Sequence, residues 1–265
     1  MARTAVPGRL TGQRLTGRRP TGRRLPWRVA RLASYRDETA TARTLTLAVP
    51  GWPGHVAGQH VDLRLTAADG YQAQRSYSVA GAPTADQVEL TIERVPGGEV
   101  SPYLTDQFRV GDPLEIRGPV GGWFVWRPQE VAPVLLVAGG SGIVPLMSMI
   151  RHRHAAGNSA RFRLVYSTRS PAAAYYTGEL AGFAAEWGGI SLSYVYTRAA
   201  PAGSERPVGR LTPADLAAAD WSPVTGPRCF VCGPTGFVEA AADALVQLGH
   251  APEQIRTERF GPTGG

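Results

Sequence analysis

The chain has 265 residues, a formal net charge of +7 and a sequence pI of about 9.9, with 43% hydrophobic and 18% charged residues. This composition sustains one large packed core or two of ordinary size and excludes a disordered polymer. No apolar run approaches the roughly 18–20 residues of a membrane-spanning helix, so a soluble, cytoplasmic protein is expected.

The basic excess is local. Arg3, Arg9, Arg14, Arg18, Arg19, Arg23, Arg24 and Arg28 fall within the first 28 residues with no acid among them, and +7 less these eight charges leaves −1 for the remainder. Residues 1–26 repeat a Gly-, Thr- and Arg-rich phrase: Leu10-Thr11-Gly12-Gln13-Arg14, Leu15-Thr16-Gly17-Arg18-Arg19, then Pro20-Thr21-Gly22-Arg23-Arg24. With little to bury, this segment is expected to be a disordered basic tail. Neither arginine pair is followed by the roughly 7–15 apolar residues of an export signal. The tail suits a solvated leader or the steering of an acidic partner. An RNA-binding role would place all affinity in the tail and make it steeply salt-dependent. The near-neutral body favours no nucleic-acid partner.

From residue 27 to 128 the pattern is of strands. Thr44-Leu45-Thr46-Leu47-Ala48-Val49, His60-Val61-Asp62-Leu63-Arg64-Leu65 and Val88-Glu89-Leu90-Thr91-Ile92 alternate between turn signals, which predicts an antiparallel β-barrel. One short helix is expected near Ser101-Pro102, with Ser101 as its cap. From 129 to 265 the rhythm changes. Strands at Val134 to Ala138, Phe162 to Tyr166, Ile190 to Tyr196, Arg228 to Cys232 and Ile255 to Phe260 alternate with helices beginning near Ile143, Tyr175 to Trp187, Thr212-Pro213 and Phe237 to Leu248. That order predicts an α/β domain with a parallel sheet covered on both faces.

Three segments carry chemistry. Arg75-Ser76-Tyr77-Ser78 puts a cation and a flat ring on one strand face, suited to a phosphate and a heterocycle of one ligand, while Ser78 would meet the ring edge. An ordinary barrel strand is the alternative. Gly97-Gly98-Glu99-Val100-Ser101 leads into the short helix, where freed backbone amides form an anion site; with Arg75 it makes a diphosphate cradle. The strand–loop–helix Leu135 to Pro145 contains Gly139-Gly140-Ser141-Gly142-Ile143 and belongs to the phosphate-binding class. Pro145 stands where the third glycine of a Rossmann fingerprint would be, and the chain has no lysine, which argues against an ATPase. After the second strand, Ser167 and Arg169 replace the acid of an NAD site, and Arg198 follows the third strand. These suit a 2′-phosphate and favour NADPH, with NADH possible.

Cys229 and Cys232 lie three apart on one expected strand, so their thiols face opposite sides and form no disulfide. Two cysteines cannot hold an iron–sulfur cluster, and no C-x₄-C-x₂-C run occurs. His152 and His154 are expected on the surface of the helix after the glycine loop.

In order, Arg75-Ser76-Tyr77-Ser78, Gly97 to Ser101, Gly139 to Pro145, Cys232-Gly233-Pro234 and Glu258-Arg259-Phe260-Gly261-Pro262 resemble the ferredoxin–NADP reductase superfamily, especially its flavohaemoglobin-reductase and oxygenase-reductase branches. The resemblance covers Trp27 to Pro262. It implies FAD in the barrel, with Arg75 on the diphosphate, Tyr77 and Ser78 at the isoalloxazine, and Val100 and Ser101 offering N–H and hydroxyl groups to the phosphates. It implies nicotinamide-dinucleotide phosphates on the Gly140 to Pro145 loop, Cys232 near the nicotinamide, and Phe260, followed by Gly261, near the flavin. His60, in Gly58-Gln59-His60, stands where the flavohaemoglobin branch has a tyrosine. The expected function is an NAD(P)H oxidoreductase that passes electrons from FAD to a separate acceptor: a ferredoxin, a flavodoxin, an oxygenase component or a small molecule. A non-catalytic FAD-binding electron-bridging subunit is the alternative.

Overall fold

The computed structural model describes residues 25–67, 69–186 and 189–261, with Ala219 by its backbone alone. The expected tail up to residue 24, Trp187 and Pro262 therefore lie outside the described residues.

Six strands form the first sheet: β1 (Arg28–Thr39), β2 (Ala42–Ala48), β3 (His60–Thr66), β4 (Gln72–Ser78), β5 (Gln87–Glu93) and β6 (Pro113–Val120). Their order is β4-β3-β6-β1-β2-β5, and every pairing within it is antiparallel. A bridge between Val79 and Leu90 brings the two outer strands together, so the sheet curls into a barrel. Alternation explains the inside: Leu45, Leu47, Val61, Leu63, Leu90 and Ile92 are buried in one cluster. Each such side chain, moved from water to this core, contributes about 1.5–3 kcal/mol.

The short helix differs from expectation. It comprises α1 (Val100–Pro102), entered through Glu99, followed by a π-turn over Tyr103–Gln107. Ser101 lies inside it rather than capping it, and its hydroxyl accepts the Val95 amide at 3.1 Å. That bond draws the 95–98 turn back onto the helix, an alternative partner that local pattern does not reveal.

The second sheet is parallel, in the order β11-β10-β7-β8-β9. Its strands are β7 (Val134–Gly139), β8 (Phe162–Thr168), β9 (Ile190–Tyr196), β10 (Arg228–Pro234) and β11 (Ile255–Phe260). β7 and β8 are buried at every residue, because helices cover both faces. α2 (Ile143–Ala155) and α3 (Thr177–Ala185) contribute to the core that contains Leu136, Leu164 and Phe230. α4 (Pro213–Leu216) and α5 (Thr235–Gln247) pack on Leu135, Val165 and Val231 on the other side. The cysteines follow this division, Cys232 in the first core and Cys229 in the second, and both are free thiols.

The first of these cores also takes in Ala42, Ala57 and Ala80 from the barrel. Gly58 marks how close the two units approach: a Cβ there would lie 2.0 Å from the Phe124 carbonyl oxygen and 2.7 Å from Met149 Cε, at a φ of +97°. His152 is a correction to the surface reading. It is half-buried, with its ring edge-on to Trp126 at 5.7 Å, whereas His154 is exposed and pairs with Glu186 at 3.2 Å. No helix among the described residues is long and apolar enough to cross a membrane.

Candidate functional site

The barrel contributes β4. Ala73, Arg75 and Tyr77 share one face by strand alternation. The Tyr77 ring packs partly buried against the barrel core, and burial pushes its hydroxyl up to about 12, so it stays neutral. Arg75 is exposed; its guanidinium donates to the Gln74 carbonyl at 2.7 Å and has no carboxylate partner among the described residues. Ser76 points to the opposite face, where its hydroxyl donates to Asp62 at 2.7 Å, and Arg117 holds that same carboxylate at 2.7 Å. Ser76 thus ties β4 to β3. Beyond β5, Gly97 has a φ of +75° and Gly98 approaches the Val95 carbonyl oxygen, where a Cβ would come within 3.1 Å. No side chain caps α1 at its start.

The parallel sheet contributes the carboxyl ends of its strands, the usual ligand edge of such sheets. β7 runs into Gly139, Gly140, Ser141 and Gly142, a 3-10 turn opening directly into α2 at Ile143, with Pro145 in the first helical turn. Gly140 has a φ of +55°, and the other glycines are required by contact. A Cβ on Gly142 would sit 2.1 Å from the Cys232 carbonyl oxygen, and one on Gly139 or Gly233 would strike the Phe237 ring at 2.6 or 2.8 Å. Ser167 is buried near the end of β8, and Arg169 follows it, exposed. The Arg169 carbonyl accepts the amide of Arg198 at 2.9 Å, which places two exposed arginines side by side beyond β8 and β9. Neither pairs with a carboxylate among the described residues. Cys232, Gly233 and Pro234 end β10, and Pro234 is in register with Phe260 on β11, with Gly261 next at a φ of +130°.

The two edges meet in a lateral row. Ser78 is in register with His60 across β3 and β4, and His60 Nδ1 lies 3.9 Å from Glu258 Oε1. Glu258 is in register with Cys232, and Cys232 with Ala138 beside the glycine loop. Glu258 received no role from the sequence, although it lies in the quoted Glu-Arg-Phe segment. Nothing in the linear pattern shows that β11 turns this residue toward the barrel. Burial lifts its carboxyl to about 7, and Oε2 has no hydrogen-bond partner. Burial likewise lowers His60, against a smaller opposing pull from Asp62, and raises the Cys232 thiol well above its usual range. Near neutral pH, His60 and Cys232 are uncharged in this row.

These features fit the two groups expected. Among the described residues the guanidinium of Arg75 has no carboxylate partner, and Tyr77 supplies a flat ring two positions along the same strand face, whereas the Gly98 amide is already held by the Val95 carbonyl at 3.0 Å. On the opposing edge, a glycine loop at the start of a thirteen-residue helix faces the same row. No group of His, Cys, Asp and Glu able to hold a metal occurs among the described residues.

A barrel and a parallel sheet that present their ligand edges to one another define a two-domain flavin- and nicotinamide-type oxidoreductase. Residues 30–125 match the oxidoreductase FAD-binding domain family, and residues 136–243 match the oxidoreductase NAD-binding domain family. The Amycolatopsis cytochrome P450 reductase structure superposes with a TM-score of 0.77 at 30% identity, over 91% of this chain and 72% of that one. The flavohaem-like FAD/NAD-binding domain of Vibrio cholerae nitric oxide dioxygenase has a TM-score of 0.79 at 22% identity, over 89% and 99%. The ferredoxin–NAD(P)(+) reductase component of Ralstonia sp. naphthalene 1,2-dioxygenase/salicylate 5-hydroxylase systems is 32% identical over 207 residues, 78% of this chain and 61% of that protein. The chain belongs to the ferredoxin–NADP reductase superfamily. It spans about three-fifths of the length of that curated relative.

Proposed function

We propose that this protein takes reducing equivalents from NADPH into FAD and passes them to a separate acceptor, a ferredoxin or an oxygenase component. Residues 27–128 would form the FAD-binding domain and 129–265 the nicotinamide-dinucleotide domain. One observation carries this reading: the row Ser78, His60, Glu258, Cys232 joins the flavin-type strand to the dinucleotide-type edge without a gap. FAD, when bound, would supply the redox chemistry that couples a two-electron nicotinamide donor to a one-electron acceptor.

The chain's own residues hold and orient. Arg75 and the Gly97–Gly98 turn would bind the diphosphate, with Val100 and Ser101 beneath it. Tyr77 and Phe260 would flank the flavin ring, Ser78 would hydrogen-bond its edge, and Cys232 would floor the nicotinamide site. A buried, protonated thiol there helps to exclude water and adds no charge of its own. The Gly139–Pro145 loop would take the dinucleotide phosphates. Arg169 and Arg198, exposed and without an acidic partner among the described residues, favour the 2′-phosphate of NADPH over NADH. Two free buried thiols suit a reducing, cytoplasmic compartment.

Purified protein should be yellow, and anaerobic stopped-flow mixing with NADPH should bleach it without any partner, faster at subsaturating donor than with NADH. Colourless protein that takes up no added FAD would refute the reading.

A further inference from the structure

The strand that carries Tyr77 and Ser78 does not end free. It continues through Val79 into Ala80 and Gly81, and both of these carbonyls accept hydrogen bonds from α2. Ser148 Oγ donates to Gly81 at 2.6 Å and Arg151 Nη1 donates to Ala80 at 3.0 Å. α2 is the helix that starts at the glycine loop, so one rigid element touches both ligand edges. Ser148 is wholly buried, one hydroxyl in a run of apolar neighbours, Leu146, Met147, Met149 and Ile150. Arg151 is 10% exposed at its side chain and grips the Glu179 carboxylate of α3 with two bonds of 2.8 and 2.7 Å. It also pairs with Glu89 on β5, whose backbone carbonyl takes the Ala80 amide at 2.7 Å. The Tyr176 ring lies under its guanidinium at 5.0 Å.

We infer that Ser148 and Arg151 are positioning residues that make α2 a strut, setting the spacing between the nicotinamide loop and the flavin strand. This rests on the function proposed above. The apolar contact between the two units takes in Phe124 edge-on to Phe230 at 5.4 Å and Trp126 edge-on to Phe162 at 5.2 Å, whereas the part that touches the flavin strand's continuation is built from Ala80 and small or flexible neighbours such as Ala42, Ala57 and Met149. Alanine and methionine contacts of this kind hold the 79–81 segment without fixing its register, because dispersion contacts have little direction. Bonds to two consecutive carbonyls, which point to opposite sides of an extended chain, fix both position and rotation. A buried ion-pair network as a whole adds little net stability over apolar groups once its desolvation is counted, although removing Arg151 alone takes a cationic partner from both Glu89 and Glu179, so registry is the more informative role for it. Registry matters here because displacing reacting atoms by about 1 Å slows a reaction by about 100-fold.

The test uses the full-length, FAD-loaded protein with Ser148→Ala, Arg151→Lys and Arg151→Met. Single-turnover reduction by saturating NADPH should slow by about 5-fold in Ser148→Ala and about 100-fold in Arg151→Met, with Arg151→Lys between them. The long-wavelength charge-transfer absorbance of the NADPH complex should weaken in the same order. NADPH Kd, FAD retention and oxidation of chemically reduced protein by ferricyanide should stay within about twofold, which a general loss of structure would not allow. In cofactor-free protein, amides 79–81 should exchange faster in Ser148→Ala than in the parent. Parent-like reduction rates and charge-transfer bands in folded Ser148→Ala and Arg151→Lys would overturn the inference. If NADPH and NADH both fail to reduce the parent, the proposed function fails instead, and amide exchange alone then decides whether the strut exists: unchanged protection would dismiss it.

Discussion

Glu258 is a carboxyl held where charge is poorly solvated, and its ionisation opposes folding. The unfolded chain ionises it at about its ordinary value of 4.5, and the folded cofactor-free chain at about 7. Below about pH 4.5 it is protonated in both states and adds no penalty. As pH rises toward 7 the unfolded state loses the proton first, so stability falls across that window and the loss is constant above it. Glu258→Gln should therefore gain stability over the parent, by on the order of 2 kcal/mol at pH 8 and by almost nothing at pH 4, in denaturant titrations of the cofactor-free protein. Arg169 and Arg198 make the second prediction at this scale. Replacing both by Ser should raise the KM for NADPH by about 10-fold or more and leave that for NADH within about twofold, as steady-state reduction of ferricyanide would show. At the residue level the sequence was legible where a motif is contiguous: the strand–loop–helix expected through Gly139 to Gly142 is present, with its turn opening into α2 at Ile143, while the packing of Gly139 and Gly142 against Phe237 and Cys232 was not legible. Glu258, Ser148 and Arg151 were not legible as site residues, because their partners, His60, Gly81 and Ala80, lie 67 or more positions away in sequence.

Elements were read well where pattern and capping agree. β9 and β11 have the expected bounds, Ile190–Tyr196 and Ile255–Phe260. α4 starts at the Thr212-Pro213 signal: the Asp215 carboxylate accepts the Thr212 amide at 2.7 Å and its hydroxyl at 2.9 Å, a capping box in which Arg206 also binds Asp215. Asp215→Ala should lower the unfolding free energy by about 1–2 kcal/mol in urea titration, more than a cap alone, because Arg206 loses its partner too. The Ser-Pro signal at Ser101 misled by one step. Ser101 found the Val95 amide, a turn partner, and the helix began at Val100 instead. α2 also reads ambiguously, since burial on nearly every side of Ile143 to Ile150 leaves no amphipathic stripe. Its all-round burial becomes intelligible only once the barrel is seen packed against it.

Across the whole molecule, the presence of an antiparallel barrel followed by a parallel sheet was plain from the change of rhythm along the chain, whereas the way the two halves join was not. They share one core, and polar ties cross it: Tyr176 bonds Thr91 through its hydroxyl, its amide donates to Glu38 at 3.2 Å, and Arg256 donates to the Val125 carbonyl at 2.7 Å. Calorimetry of the cofactor-free protein should accordingly show one unfolding transition, and Arg151→Met should broaden or split it.

The placement of the two cysteines has a practical corollary. They sit three residues apart on one strand but in separate hydrophobic layers, Cys229 with α5 and Cys232 with the layer against the barrel. Burial pushes Cys229 up to about 12 and Cys232 higher than usual as well, so neither supplies thiolate to a reagent while its layer stays closed. The polypeptide thus comes with a pair of natural reporters, and the speed at which a thiol dye modifies each would time the breathing of one layer independently of the other.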